Sequence, residues 1–349
     1  MLACDLHVHL DGSLRESTLT ELAVEHGVCP ARAEGSEFLS ELRFREGMTL
    51  AACLGRFEVT VGLLQSRGAL RRVADELVRD SYLDGVRHLE VRMCPLLHTR
   101  SGLSAEEALE AVVAGIETGA ASARGGGAGE WLSAGVIVSV LEGSSESQCA
   151  YLADMALAHS GSGVLGLDLA GDEALFDASR FERHFARAKS GGLGITVHAG
   201  EGRDPSHVRD AVEVLGADRI GHGVAAASDG DVLDLLAERR TVVECCISSN
   251  VHTGAVSSVG EHPLPVFLRE GVRAVLATDN RFFSETTLSR EYELAGRELA
   301  LSREELAVLS VESGRASFLP LGDRESLSML LRENAEAELG TSKEGDLTK

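Results

Sequence analysis

The chain has few aromatic residues, 4% of its 349 positions, with one Trp and three Tyr. A surface that stacks unpaired bases needs more of them, which argues against single-stranded nucleic acid as a ligand. Lysine is nearly absent: Lys189, Lys343 and Lys349 are the only lysines among 33 basic residues, a bias that reads as codon composition and carries no function. Against 55 acidic residues the net charge is −22, which repels a phosphate backbone and leaves a small neutral or cationic molecule as the expected partner. No apolar run reaches the roughly 18 residues that a membrane helix needs, so no membrane association is expected. The seven cysteines are odd in number and form no CxxC pair, which suits buried thiols in a reducing compartment. Met1 to Leu10 already carries Asp5, His7 and His9 and has no basic-then-apolar leader, so the sequence predicts a cytoplasmic protein.

What is present is ordinary for a soluble globular enzyme: 44% hydrophobic and 25% charged residues, in a length that can bury one large core. Eight short apolar runs read as buried parallel strands: Cys4 to Leu10, Arg87 to Met93, Ser133 to Val140, Val164 to Leu169, Ile195 to Ala199, Arg219 to Val224, Thr241 to Cys246 and Val272 to Ala277. Helical patterns separate them, with capping boxes at Ser104…Glu107 and Ser302…Glu305 and glycine stops at Gly191 and Gly216. Alternation on this scale predicts an α/β fold, a (β/α)8 TIM barrel in a single domain over 1–334. About 75 residues separate the first run from the second, and Glu16 to Tyr82 reads as several helices, a helical insertion over about 15–82 placed to act as a lid. Arg124 to Gly129 reads as a glycine-rich loop, and the acidic tail over 335–349 as frayed.

A barrel enzyme carries its chemistry at the C-terminal ends of its strands. The first run ends His7-Val8-His9, and a strand's period of two points both imidazoles to one face. The fifth ends at His198-Ala199-Gly200-Glu201, the sixth contains Gly221-His222-Gly223, and the eighth ends Thr278-Asp279-Asn280. Three imidazoles and a carboxylate suit Zn²⁺, one per subunit, and tolerate iron or manganese, with a position left for water. The expected ligands are His7, His9, His198 and Asp279.

With these motifs the chain resembles the adenosine deaminase family of the amidohydrolase superfamily. The resemblance runs through His7-Val8-His9-Leu10-Asp11-Gly12-Ser13, Asp168-Leu169-Ala170-Gly171-Asp172-Glu173, His198-Ala199-Gly200-Glu201, Gly221-His222-Gly223, Ser249-Asn250-Val251-His252-Thr253-Gly254 and Thr278-Asp279, and covers residues 4 to about 318. It implies hydrolytic removal of the 6-amino group of a purine nucleoside, adenosine or 2′-deoxyadenosine, with release of ammonia. In the roles it implies, Glu201 protonates ring nitrogen N1, His222 orients or deprotonates the attacking water, and Asp279 both binds metal and holds that water. It also implies that the Gly171 backbone N–H faces N3 of the base and that Asp11 bonds a ribose hydroxyl; a helix N-cap is the plainer reading of Asp11. Two departures stand out. Asn280 replaces the family's usual second aspartate, which donates to N7, and Ile247 replaces a common proline.

Asn280, Arg281 and the Phe282-Phe283 pair keep a second substrate reading open: aminodeoxyfutalosine, adenine or a modified adenosine. A non-catalytic nucleoside-binding barrel is the alternative from another class, and it gives no reason for Glu201 and His222 to stand beside the ligands. Gly161 to Gly166 matches GxGxxG, yet it precedes a strand where a dinucleotide site would follow one. The HxE and PCxxC patterns of zinc deaminases that act on cytidine and polynucleotides are absent. Cys245 and Cys246 point to opposite faces of a strand, so at least one belongs to the core.

Overall fold

The structure is a computed structural model that describes residues 1–28, 35–124, 132–202 and 204–345. Eight strands, β1 (Ala3–His9), β2 (Val86–Met93), β3 (Ser133–Leu141), β4 (Val164–Ala170), β5 (Gly194–Ala199), β6 (Arg219–His222), β7 (Val242–Cys245) and β8 (Arg273–Leu276), pair in parallel in chain order. Each predicted run contains its strand to within a residue or two. The ring closes through Asp279, which bridges to Val8; its N–H donates to His7 O at 2.8 Å, and His9 N–H donates back to its carbonyl at 2.7 Å. The seam of the (β/α)8 barrel is therefore sewn by the backbone of three residues expected to bind metal.

Between β1 and β2 lie α1 (Glu16–Glu25), α2 (Gly35–Leu42), α3 (Leu50–Leu54), α4 (Phe57–Leu63) and α5 (Arg67–Leu83). This is the predicted insertion. Phe44 stacks on Phe283 at 4.8 Å, and Phe57 meets the same ring edge-on at 4.8 Å, so two aromatic contacts pin it over the loop after β8. The remaining helices are α6 (Ala105–Arg124), α7 (Glu146–Ala158), α8 (Glu182–Ser190), α9 (Pro205–Glu213), α10 (Gly230–Arg239), α11 (Ile247–His252), α12 (Leu264–Arg269), α13 (Leu288–Glu298), α14 (Arg303–Ala316) and α15 (Leu321–Gly345). Both predicted capping boxes form, at Ser104–Glu107 and Ser302–Glu305. A third, Ser145–Gln148, opens α7.

The last helix, α15, runs as far as Gly345; its buried residues Leu327 and Leu331 precede the acidic tail, and Ala335 is buried where that tail begins. Leu327 and Leu331 join Cys4, Leu6, Val242, Val275 and Ala316 in a cluster that packs β1, β7 and β8 against α14 and α15. The glycine-rich loop expected at 124–129 lies, beyond Arg124, outside the described residues. No helix among the described residues is long and apolar enough to cross a membrane.

Candidate active site

Inside the barrel the strands carry charge where most cores carry hydrocarbon. Arg92 on β2 bonds Asp168 on β4 at 3.0 Å and also Glu244 on β7, and Arg219 on β6 bonds Glu244 at 2.6 Å and also Glu90 on β2. All five are buried. Burial alone would raise the Glu244 carboxyl, but Arg92 and Arg219 outweigh it and hold it well below the usual carboxylate range. Glu244 thus stays an acceptor, and His7 Nδ1–H donates to it at 2.9 Å. His198 Nδ1–H is served in the same way by Asp168 at 3.0 Å and the Leu169 carbonyl at 3.2 Å; the Arg92 guanidinium lies farther off at 3.4 Å. Neither ring's Nδ1 is left to chance, and in each the Nε2 lone pair faces the pocket.

His7, His198, His222 and Asp279 offer ligand atoms within 4.8 Å of one another, and all four are buried. His9 borders the same space: its Nε2 is 3.2 Å from His198 Nε2 and 3.3 Å from Asp279 Oδ1. The His7 Nε2 atom is fully buried and has no hydrogen-bond partner. A buried nitrogen with its proton committed elsewhere and its lone pair unpaired, beside a carboxylate, is what a divalent ion would satisfy. Ser249 Oγ–H steadies the carboxylate at Oδ2 from 2.5 Å. His222 and Asp279 hold the backbone at φ 66° and 57°, strained values for side chains of this size.

The His–Asp group stands at the end of a cavity of about 620 Å³, large enough for a nucleoside. Its walls include Asp11, Gly171, Glu201 and Asn280 with His9, His198, His222 and Asp279, while His7 lies behind the wall within the His–Asp group. Asp11 caps no helix: α1 starts at Glu16 with Arg15 at its cap, which leaves the pocket as the place where Asp11 acts. Burial pushes its carboxyl up to about 7. Gly171 takes φ +119°, open to glycine alone, at the turn after β4. Asn280 lies so close to Gly12 that a Cβ there would stand 1.8 Å from Asn280 Oδ1, an atom that is buried and unpartnered.

The surroundings of Glu201 favour its protonated form. Burial, then the charge of Asp279, pushes its carboxyl up to about 8, so it keeps its proton at neutral pH. Its Oε2 is 3.8 Å from His222 Nε2. The loop that carries it is clamped by Glu173, whose carboxylate accepts the N–H groups of Gly200 and Gly202 on either side and a bond from His207 at 3.0 Å. Glu244, Arg92 and the pocket carboxyl Glu142 play no part in the sequence-based expectations, and Glu173 enters them only as the end of the Asp168–Glu173 motif, with no role. Only the period of two that aligns Arg92 and Glu244 with the inward face pointed to them, and that signal cannot tell an ion network from a structural charge.

Sequence and structure comparisons agree with this geometry. The family model for adenosine deaminase matches residues 3–333. An adenosine deaminase of Klebsiella pneumoniae is 35% identical over 94% of this chain and 96% of its own. The adenine deaminase of Arthrobacter aurescens superposes with a TM-score of 0.85 at 26% identity, covering 96% of this chain and 99% of that one. The N6-methyl-AMP deaminase of Arabidopsis thaliana superposes with a TM-score of 0.83 at 26% identity, covering 97% and 98%. Eight parallel strands, a buried His–Asp group at the ends of β1, β5, β6 and β8, and a match over nearly the whole length place this chain in the adenosine deaminase family.

Proposed function

We propose that the protein hydrolyses the 6-amino group of adenosine and 2′-deoxyadenosine, giving inosine or 2′-deoxyinosine and ammonia. The observation that carries this reading is a buried carboxyl, Glu201, 3.8 Å from His222 beside the His–Asp group in a nucleoside-sized cavity, where burial raises its pKa. The ligands are His7, His9, His198 and Asp279, and the donor set suits one Zn²⁺ per subunit. A divalent ion there supplies one thing, a water whose pKa falls toward about 7.

The chain's own residues do the rest. Gly171 N–H and Asn280 position the base, and Asp11 takes a sugar hydroxyl. Glu201 gives its proton to N1, which draws electron density from C6 and opens that carbon to attack by the water oxygen. His222 and Asp279 flank the water, and the proton it loses passes to one of them. The C6–N bond then breaks as that proton passes to the leaving nitrogen, ammonia departs, the C6 hydroxyl returns its proton to Glu201, and N1 keeps the proton it received, which leaves the 6-oxopurine. Asn280 donates from its amide without needing to be protonated, so the substitution is compatible with N7 recognition. Asn280 also keeps a second reading in play, the same chemistry on adenine, aminodeoxyfutalosine or a modified adenosine.

The test is ammonia release by zinc-loaded protein over adenosine, 2′-deoxyadenosine, adenine, AMP and aminodeoxyfutalosine. Adenosine should turn over fastest, Glu201→Gln should lose about 10²–10⁴-fold in kcat, and chelation followed by dialysis should abolish activity until zinc is restored. Turnover of another purine with none of adenosine would transfer the proposal to that substrate, and full activity after metal removal would sink it.

A further inference from the structure

Behind His7 and His198 stand acceptors; behind His222 stands a donor. The chain of bonds starts at a group whose direction is fixed. The backbone N–H of Leu264 points at His262 Nδ1 from 3.2 Å, and since an amide N–H only donates, that nitrogen carries no proton. The proton of His262 is therefore on Nε2, which lies 3.0 Å from Asn250 Oδ1 and donates to it. With its oxygen taken, Asn250 turns its NH2 group toward His222, where Nδ2 stands 2.9 Å from Nδ1. The opposite amide orientation would set Nδ2–H against Nε2, force the His262 proton onto Nδ1 and leave it facing the Leu264 N–H. Leu264 and Asn250 are fully buried, His262 is 3% exposed and His222 1%, so no solvent can repair a reversed bond. Burial alone pushes His262 down to about 3, in keeping with a neutral ring.

We infer that Asn250 and His262 are positioning residues that lock His222 as the neutral tautomer with its proton on Nε2. The inference rests on the proposed deamination for its kinetic consequence but not for the tautomer itself. A ring locked in this way presents an N–H to the pocket. It can hold the oxygen of the attacking water by donating to it, and it has no lone pair there with which to take the water's proton. That proton then goes to Asp279, and His222 orients. The same lock separates ligands from neighbours: a ring that binds metal through Nε2 needs its proton on Nδ1, as His7 and His198 have, and His222 is denied it. His9 completes the set in its place.

Long-range ¹H–¹⁵N correlation spectra of zinc-loaded protein labelled with ¹⁵N-histidine read the tautomer directly, with His222→Gln used to assign the signal. The wild type should show His222 protonated on Nε2. Asn250→Asp sets a carboxylate oxygen against Nδ1 and should move the proton there, with zinc content unchanged and kcat down about 10²-fold or more at a KM within about twofold. His262→Gln keeps a donor for Asn250 Oδ1 and should retain both the tautomer and most of kcat, whereas His262→Leu frees the amide to invert and should give mixed tautomers and a lower kcat. A wild-type His222 protonated on Nδ1, or an Asn250→Asp protein with unchanged tautomer and kcat, would overturn the inference. So would an equal loss in the Gln and Leu variants at position 262. Absence of deamination on every purine would count against the proposed function and leave the tautomer spectrum to decide the lock.

Discussion

At the scale of single residues, the site is built from groups whose protonation is set by what lies behind them. Glu142 is the exception. It lines the pocket at 1% exposure, one carboxyl oxygen has no partner, and burial, then the charges of Glu173 and Asp168, pushes it up to about 8. Its folded pKa lies above the ordinary 4.5, so the unfolded chain releases this proton first as pH rises. Folding then has to retain a proton that water would take, and stability falls between about pH 4.5 and pH 8. Glu142→Gln removes the titrating group and keeps the shape. Its melting temperature should exceed that of the wild type by a margin that widens from pH 5 to pH 8; a margin that stays constant or narrows would mean the carboxylate finds a partner or water on ionising.

At the scale of elements, much of this molecule was legible and the reason is periodicity. Buried parallel strands read as continuous apolar runs, and a barrel's polar side chains gather at their ends, so His7, His9, His198 and Asp279 could be expected near one another without coordinates, while nothing in the runs says whether His9 or His222 is the third imidazole of the group. The insertion was legible because its helices interrupt an otherwise regular alternation. What stayed hidden depends on contacts between distant residues: Glu244 behind His7 is 237 positions away, and Glu173 under the Glu201 loop reaches back 27 to 29. The packing of α15 stayed hidden for a related reason. Over residues 335–345 its charges suggest solvation, while the apolar contacts that anchor α15 come earlier in the helix and meet residues at the other end of the chain. Leu331 is fully buried and lies in one cluster with Cys4 and Leu6. Leu331→Ala should cost about 2–5 kcal/mol and lower the melting temperature, with kcat and KM at room temperature little changed because α15 does not line the pocket. A variant as stable as the wild type would mean that α15 is an appendage and not part of the barrel wall.

At the scale of the whole molecule, charge decides which purines can enter. The chain carries −22, and Arg100 is the one Lys or Arg among the described residues lining the pocket. Its guanidinium is already engaged by Glu58 at the rim, with Nη2 to Oε2 at 2.9 Å. An incoming phosphate dianion would meet an occupied cation, and beyond it Asp172 and Glu142, whose proton the dianion would hold more firmly. Like-charge contact of this kind costs several kcal/mol, and each 1.4 kcal/mol is about tenfold in kcat/KM, so AMP should fall about 100-fold or more below adenosine. Because Glu58 and Asp172 stand in solvent reach, their share of the gap should narrow as ionic strength rises, while the share of buried Glu142 should not. Glu58→Gln frees Arg100 and removes one negative charge in a single step. It should raise kcat/KM for AMP while leaving adenosine within about twofold; no gain for AMP would place the discrimination deeper in the cavity, at Asp11 or Glu142, where shape and burial act before charge is met.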